Sequence, residues 1–200
     1  MSRLLSHHLA KPFVFALCLL PLSWLLYLVA QDQVGANPQE ALIRATGDWA
    51  LRFLVIVLAV TPLRELSGLS VLARYRRMSG LFMYFYALLH FLSYSGFDMG
   101  FDVADIVIDI AKRPFILVGS LALLLLTPLA ATSFNAVIRA LGAKRWQRLH
   151  RLVYVVAGLA ILHFFWMRAG KNDFAEVLVY AGILALLLGW RLRRLRQRPR

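Results

Sequence analysis

The chain has 200 residues, 60% of them apolar, against about 45 to 50% in an average soluble domain. The apolar positions come in long blocks, which excludes a soluble globular protein. The net charge of +13 lies between and after those blocks, so basic ends near anionic lipid explain it without a nucleic acid.

Six blocks reach or approach the roughly 20 apolar residues needed to cross hydrocarbon: 13–30, 49–66, 79–97, 114–132, 149–167 and 175–190. They predict an all-α bundle of six transmembrane helices forming one integral membrane domain over residues 1–200. The first block follows Arg3 and Lys11, and Leu28-Val29-Ala30 resembles a cleavage site. At about 18 residues it exceeds the h-region of a signal peptide, so it reads as a retained span. His7 and His8 precede it and receive no role. Cys18, the only cysteine, lies inside it and has no partner for an internal disulfide or a thiolate cluster.

The second block ends in Thr61-Pro62-Leu63 and leads into a short basic loop with Arg64, Arg74, Arg76 and Arg77. The third carries Leu88-Leu89-His90-Phe91. An acidic segment with Asp98, Asp102, Asp105 and Asp109 follows, in which Phe101, Ile106 and Ile110 predict a lipid-facing side of an interfacial helix. The sharper alternative is a docking surface for a basic periplasmic partner. The fourth block nearly ends in Thr127-Pro128-Leu129, and after another basic loop the fifth carries Ile161-Leu162-His163-Phe164. The order Thr-Pro-Leu, basic loop, Leu-His-Phe therefore occurs twice in the same orientation, as expected of a duplicated two-helix unit. The sixth block closes at Trp190 and is followed by a basic tail.

Placing the N-terminus in the cytoplasm puts 17 of the 23 basic residues on inner segments, and leaves Arg44, Arg52, Lys112, Arg113, Arg168 and Lys171 outside with nine of the ten acids. The positive-inside rule then predicts both termini in the cytoplasm.

A histidine facing hydrocarbon costs free energy, so two in matching contexts on different spans point to a shared ligand, with haem iron as first candidate. Thirteen residues separate Arg77 from His90 and His150 from His163, about 20 Å of helix. If Arg77 and His150 mark one boundary, His90 and His163 share a level in the outer half and can fill both axial positions of a haem between them. A haem so filled has no open site for oxygen or substrate and carries electrons. Tyr84, Tyr86, Phe91, Tyr94, Phe164, Phe165 and Trp166 offer a flat lining, and Arg52, Lys112, Arg113 or Arg168 a cation for its propionates. The bland alternative, a hydrogen bond across helices of about 0.6 to 2 kcal/mol, explains one histidine better than a matched pair. His150 stands at the inner boundary among Lys144, Arg145, Arg148 and Arg151. On an ideal helix, thirteen residues leave His150 and His163 about 140° apart, so spacing alone does not put them on one face.

Arg44-Ala45-Thr46-Gly47, Trp49-Ala50-Leu51, Thr61-Pro62-Leu63-Arg64, Leu89-His90 and above all Arg145-Trp146-Gln147-Arg148-Leu149-His150-Arg151-Leu152-Val153-Tyr154 resemble the MsrQ family, also known as YedZ. This family of haem-binding subunits is related to the ferric reductase and NADPH oxidase transmembrane domains. The resemblance covers nearly the whole chain. It implies that His90 and His163 ligate a b-type haem, and that His150 matches the second histidine of the fifth span in the wider superfamily. The oxidases also place a histidine on the third span where this sequence reads Tyr75-Arg76-Arg77, so an inner haem at His150 would lack its usual partner ligand.

The resemblance further implies electron delivery to MsrP, a periplasmic molybdopterin subunit that repairs methionine sulfoxide in oxidised proteins, within a heterodimer. The oxidases continue into flavin and NADPH domains, whereas this sequence ends in its basic tail, so electrons are expected from the quinone pool or from a separate flavin reductase. A bound FMN is a further expectation, its phosphate met by Arg76, Arg77 and Arg148 near His150. The same arginines serve equally as topology signals. The chain is thus read as an electron-transfer subunit without substrate catalysis of its own. Its rivals are a transmembrane ferric reductase, a histidine-bearing transporter and a membrane scaffold.

Overall fold

The computed structural model describes residues 7–170 and 172–197, and among them the regular structure is helical throughout. Arg3, Lys171, Arg198 and Arg200, which entered the charge argument, lie outside the described residues. The chain divides into two compact units, Met1–Val103 and Ala104–Arg200.

The first unit holds α1 (Ala10–Ala30), α2 (Pro38–Ser67) and α3 (Ala73–Phe97). The start of α2 is set by Asn37, whose Oδ1 accepts from the Glu40 N–H at 3.2 Å while its Nδ2 donates to the Glu40 carboxylate. Pro38 follows at the first helical position, where its missing N–H costs nothing. At the other end Gly68 takes φ 70°, a left-handed stop that glycine adopts without strain. A single 3-10 turn, Ser70–Leu72, returns the chain into α3.

The two long helices pack along their length. Tyr75, Ser79, Phe82, Met83 and Tyr86 recur at helical spacing on one buried face of α3, against Phe53, Leu54, Val57 and Leu58 of α2. Phe53 sits at the centre, its ring 5.4 Å from Tyr86 and 5.7 Å from Phe82. By contrast α1 buries only Cys18 and Leu25. It is tied down by Tyr86, whose hydroxyl donates to the Cys18 carbonyl at 2.9 Å and accepts from the Leu22 N–H at 3.2 Å. Those two groups are i and i+4 partners in the helix ladder, so the hydroxyl sits beside one rung of it, next to Pro21. Tyr86, expected in a cofactor lining, is instead a core and docking residue, 1% exposed. Its ring fills the α2–α3 contact while its one polar atom satisfies α1.

The second unit holds α4 (Val103–Lys112, whose first residue belongs to the first unit), α5 (Pro114–Ala131), α6 (Asn135–Leu141), α7 (Ala143–His150), α8 (Val153–Ala169) and α9 (Ala175–Arg196). Here α5 and α8 form the main packed pair, and α9 lies on α8. The expected amphipathic helix is α4, but its exposed apolar residues are Val103, Val107 and Ile108. Ile106 and Ile110 are half-buried, while Phe101, before the helix with φ 61°, is exposed as expected although its ring lies against Gly96.

Among the described residues, four segments could cross a membrane by length and composition: α1, α5, the α7–α8 stretch and α9. The helices α2 and α3 are long enough at 30 and 25 residues but carry polar groups along their length, Asp48 and Arg52 on one and Tyr84, Tyr86 and His90 on the other. The fifth expected span is interrupted at Arg151 and Leu152. There the Arg151, Leu152 and Tyr154 N–H groups bond three residues back rather than four.

Candidate functional site

His90 and His163 fall in different units, each on the second helix of its packed pair, and the local construction is the same. His90 of α3 sets Nδ1 2.8 Å from the carbonyl of Ile43 on α2. His163 of α8 sets Nδ1 2.6 Å from the carbonyl of Phe115 on α5. A carbonyl only accepts, so in both rings the N–H is on Nδ1 and donates. The lone pair of the neutral imidazole is then on Nε2, the nitrogen a metal ion would take.

One turn after each carbonyl stands a glycine. A Cβ on Gly47 would lie 3.0 Å from His90 Nδ1, and one on Gly119 would lie 2.8 Å from His163 Nδ1. The carbonyl-to-histidine separation is 47 residues in one unit and 48 in the other. Sequence reasoning picked out the histidines and the repeat but missed the glycines and carbonyls. The available signal was a glycine near the start of the span before each Leu-His-Phe.

His150 is built differently. It closes α7, its Nδ1 3.0 Å from the Trp146 carbonyl of its own helix and its ring 3.9 Å from the Trp146 ring. Trp146 is itself anchored by donating Nε1–H to the Thr132 carbonyl at the end of α5, at 2.9 Å. The Trp-Gln-Arg-Leu-His stretch is therefore a clasp between α7 and α5 that also presents His150 with its Nε2 buried. The straight-helix premise for the His150–His163 spacing fails at the Arg151–Leu152 break. Three residues wound at about 120° instead of about 100° add about 60°, which reduces the offset to about 80°.

Of the arginines, Arg76 is half-buried on the first turn of α3 with the Arg64 guanidinium near it, while Arg77 is exposed beside it. Two neighbouring guanidinium groups suit an anion such as phosphate. Arg148 is exposed on α7, two residues before His150. Among the expected propionate cations, Arg113 is paired with Asp109 at 2.6 Å, and Arg168 with both Asp173 and Glu176 at 3.1 and 2.7 Å. Arg52 reaches Asp48 only at 4.0 Å and lies over the Trp49 ring. Of the expected lining, Tyr94 and Phe164 are buried, whereas Phe165 and Trp166 are exposed.

Among the described residues no three histidine, cysteine or acidic side chains gather into a metal-holding group. Iron held by these histidines would take its remaining donors from a porphyrin, which needs one nitrogen per axial position. Two rings, each with Nδ1–H held by a carbonyl, fit that demand.

Residues 46–161 match the family model described as ferric reductase like transmembrane component. The chain is 71% identical over 188 residues, 94% of its own length and 86% of the relative's, to the protein-methionine-sulfoxide reductase heme-binding subunit MsrQ of Polaromonas naphthalenivorans. Proteins of the same name from Ralstonia nicotianae and Herminiimonas arsenicoxydans are 55% and 53% identical, each match covering 90% of this chain and 82% or 83% of the relative. No solved structure matches.

Proposed function

The chain belongs to the MsrQ subunits of the ferric reductase like transmembrane family, and from that premise we propose that it is a haem b electron-transfer subunit of a methionine sulfoxide reductase. The observation that carries this reading is the repeated histidine site: two half-buried rings, each with Nδ1–H held by a carbonyl and Nε2 in the form that ligates iron. His90 and His163 would hold the haem, which would supply one-electron transfer.

Around that centre the chain's own residues orient the ligands. The carbonyls of Ile43 and Phe115 hold the rings. All six long segments span the bacterial inner membrane as one integral domain with cytoplasmic termini, and His90 and His163 lie in its outer half. Electrons come from the quinone pool or a flavin reductase and leave to the periplasmic molybdopterin subunit MsrP. Arg76, Arg77 and Arg148 are candidate holders of an FMN phosphate, and His150 of a second haem whose partner ligand this sequence does not supply.

The test is the visible spectrum of the purified chain with its iron and flavin content. A reducible low-spin b-type spectrum lost in His90→Ala and His163→Ala is the expected result. A colourless protein, or an unchanged spectrum in both variants, sinks the reading. The family match also favours transmembrane ferric reduction, which uses the same ligands. Reduction by the haem-loaded chain of a ferric chelate, with no transfer to the sulfoxide reductase subunit, would decide for that alternative.

A further inference from the structure

We propose that Gly47 and Gly119 are positioning residues for His90 and His163, and that the carbonyl each leaves uncovered sets how strongly its histidine donates to haem iron. The inference rests on the haem-ligand reading above.

In an α-helix the carbonyl of residue i is bonded to the N–H of residue i+4, whose Cβ leans back toward the helix N-terminus, beside that carbonyl. A carbonyl oxygen has a second lone pair, but a side chain at i+4 stands in the way of anything approaching it. With glycine at 47 and 119, the rings come down into that space, although the Ile43 oxygen also accepts from the Thr46 hydroxyl at 2.9 Å. The Gly47 position leaves 3.0 and 3.1 Å from a built Cβ to His90 Nδ1 and Cε1, and Gly119 leaves 2.8 and 2.9 Å to the same atoms of His163. Of the other described helical glycines only Gly96, against the Phe101 ring at 2.9 Å, is as close, whereas Gly158, Gly182 and Gly189 have nothing within 4 Å.

The hydrogen bond has an electronic consequence. A carbonyl pulling on Nδ1–H leaves the imidazole more electron-rich at Nε2, which favours the ferric over the ferrous state. Pushing the ring away weakens that pull and raises the midpoint potential. The unit repeated along the chain is therefore a haem-ligand half-site as well as a helix pair. Its first helix supplies a carbonyl and a glycine, its second a histidine.

The experiment compares the full-length haem-loaded chain with Gly47→Ala, Gly119→Ala and the control Gly158→Ala, using His90→Ala and His163→Ala to set the scale. Gly119→Ala should raise the midpoint potential and convert part of the low-spin spectrum to high-spin, with a smaller shift in Gly47→Ala and none in Gly158→Ala. If both glycine variants match the parent in spectrum and potential while the histidine variants lose theirs, the inference is overturned and the haem-ligand reading survives. An unchanged spectrum in the histidine variants overturns both. Should a glycine variant fail to fold, the parent carries the test. With 15N-histidine and the haem reduced to its diamagnetic form, both Nδ1–H signals should persist in D2O, and prompt exchange of either overturns the assignment for that ring.

Discussion

At Tyr86 a single hydroxyl joins two helices. It takes the Leu22 N–H and gives to the Cys18 carbonyl, so its removal takes away the polar tie between α3 and α1. Tyr86→Phe should therefore cost about 0.5 to 1.5 kcal/mol, the usual net worth of one hydrogen bond, seen as a lower unfolding temperature. The haem spectrum should not change, because the ring stays against Phe53. A changed spectrum would return Tyr86 to the cofactor lining that its place one turn before His90 suggested. Sequence identified the histidines because a polar ring in an apolar helix is conspicuous. It did not identify their carbonyl partners, since every residue has a carbonyl and only packing selects Ile43 and Phe115.

Helix ends and clasps are the next level, where capping chemistry is local and readable. Asn37 with Glu40 three residues on is a capping arrangement, and Asn37→Ala should destabilise the first unit by about 0.5 to 2 kcal/mol, measured by thermal melting. The α7 clasp is tertiary. Trp146→Phe keeps a ring for His150 but removes the donor to Thr132, so the amides of α7 should exchange faster with solvent while the visible spectrum of the purified chain is unchanged. Unchanged exchange would mean that the ring contact alone holds α7. The expected fifth span shows how periodicity misleads here. Its thirteen-residue spacing was measured on an ideal helix, but three N–H groups around Arg151 and Leu152 bond three residues back, and the angle carried across them changes.

For the molecule as a whole, the charge asymmetry makes a topology prediction that cysteine labelling can check after Cys18→Ser. Asp102→Cys should react with an impermeant maleimide in intact cells, and Gln197→Cys only once the membrane is opened. The reverse pattern would overturn cytoplasmic termini, and with them the outer-half placement of the histidines. Composition and block length by themselves determined an all-helical chain with several membrane-length segments, because burying apolar surface in lipid leaves few other choices for the backbone. They also determined which histidines stand out, and a signature that led to the right family. Only the tertiary structure decided which nitrogen of each ring carries the proton, why glycines stand at 47 and 119, and that Tyr86 serves α1 instead of a cofactor. Each of those depends on an atom contributed by another helix, between 43 and 68 residues away, and no local pattern records a partner at that distance.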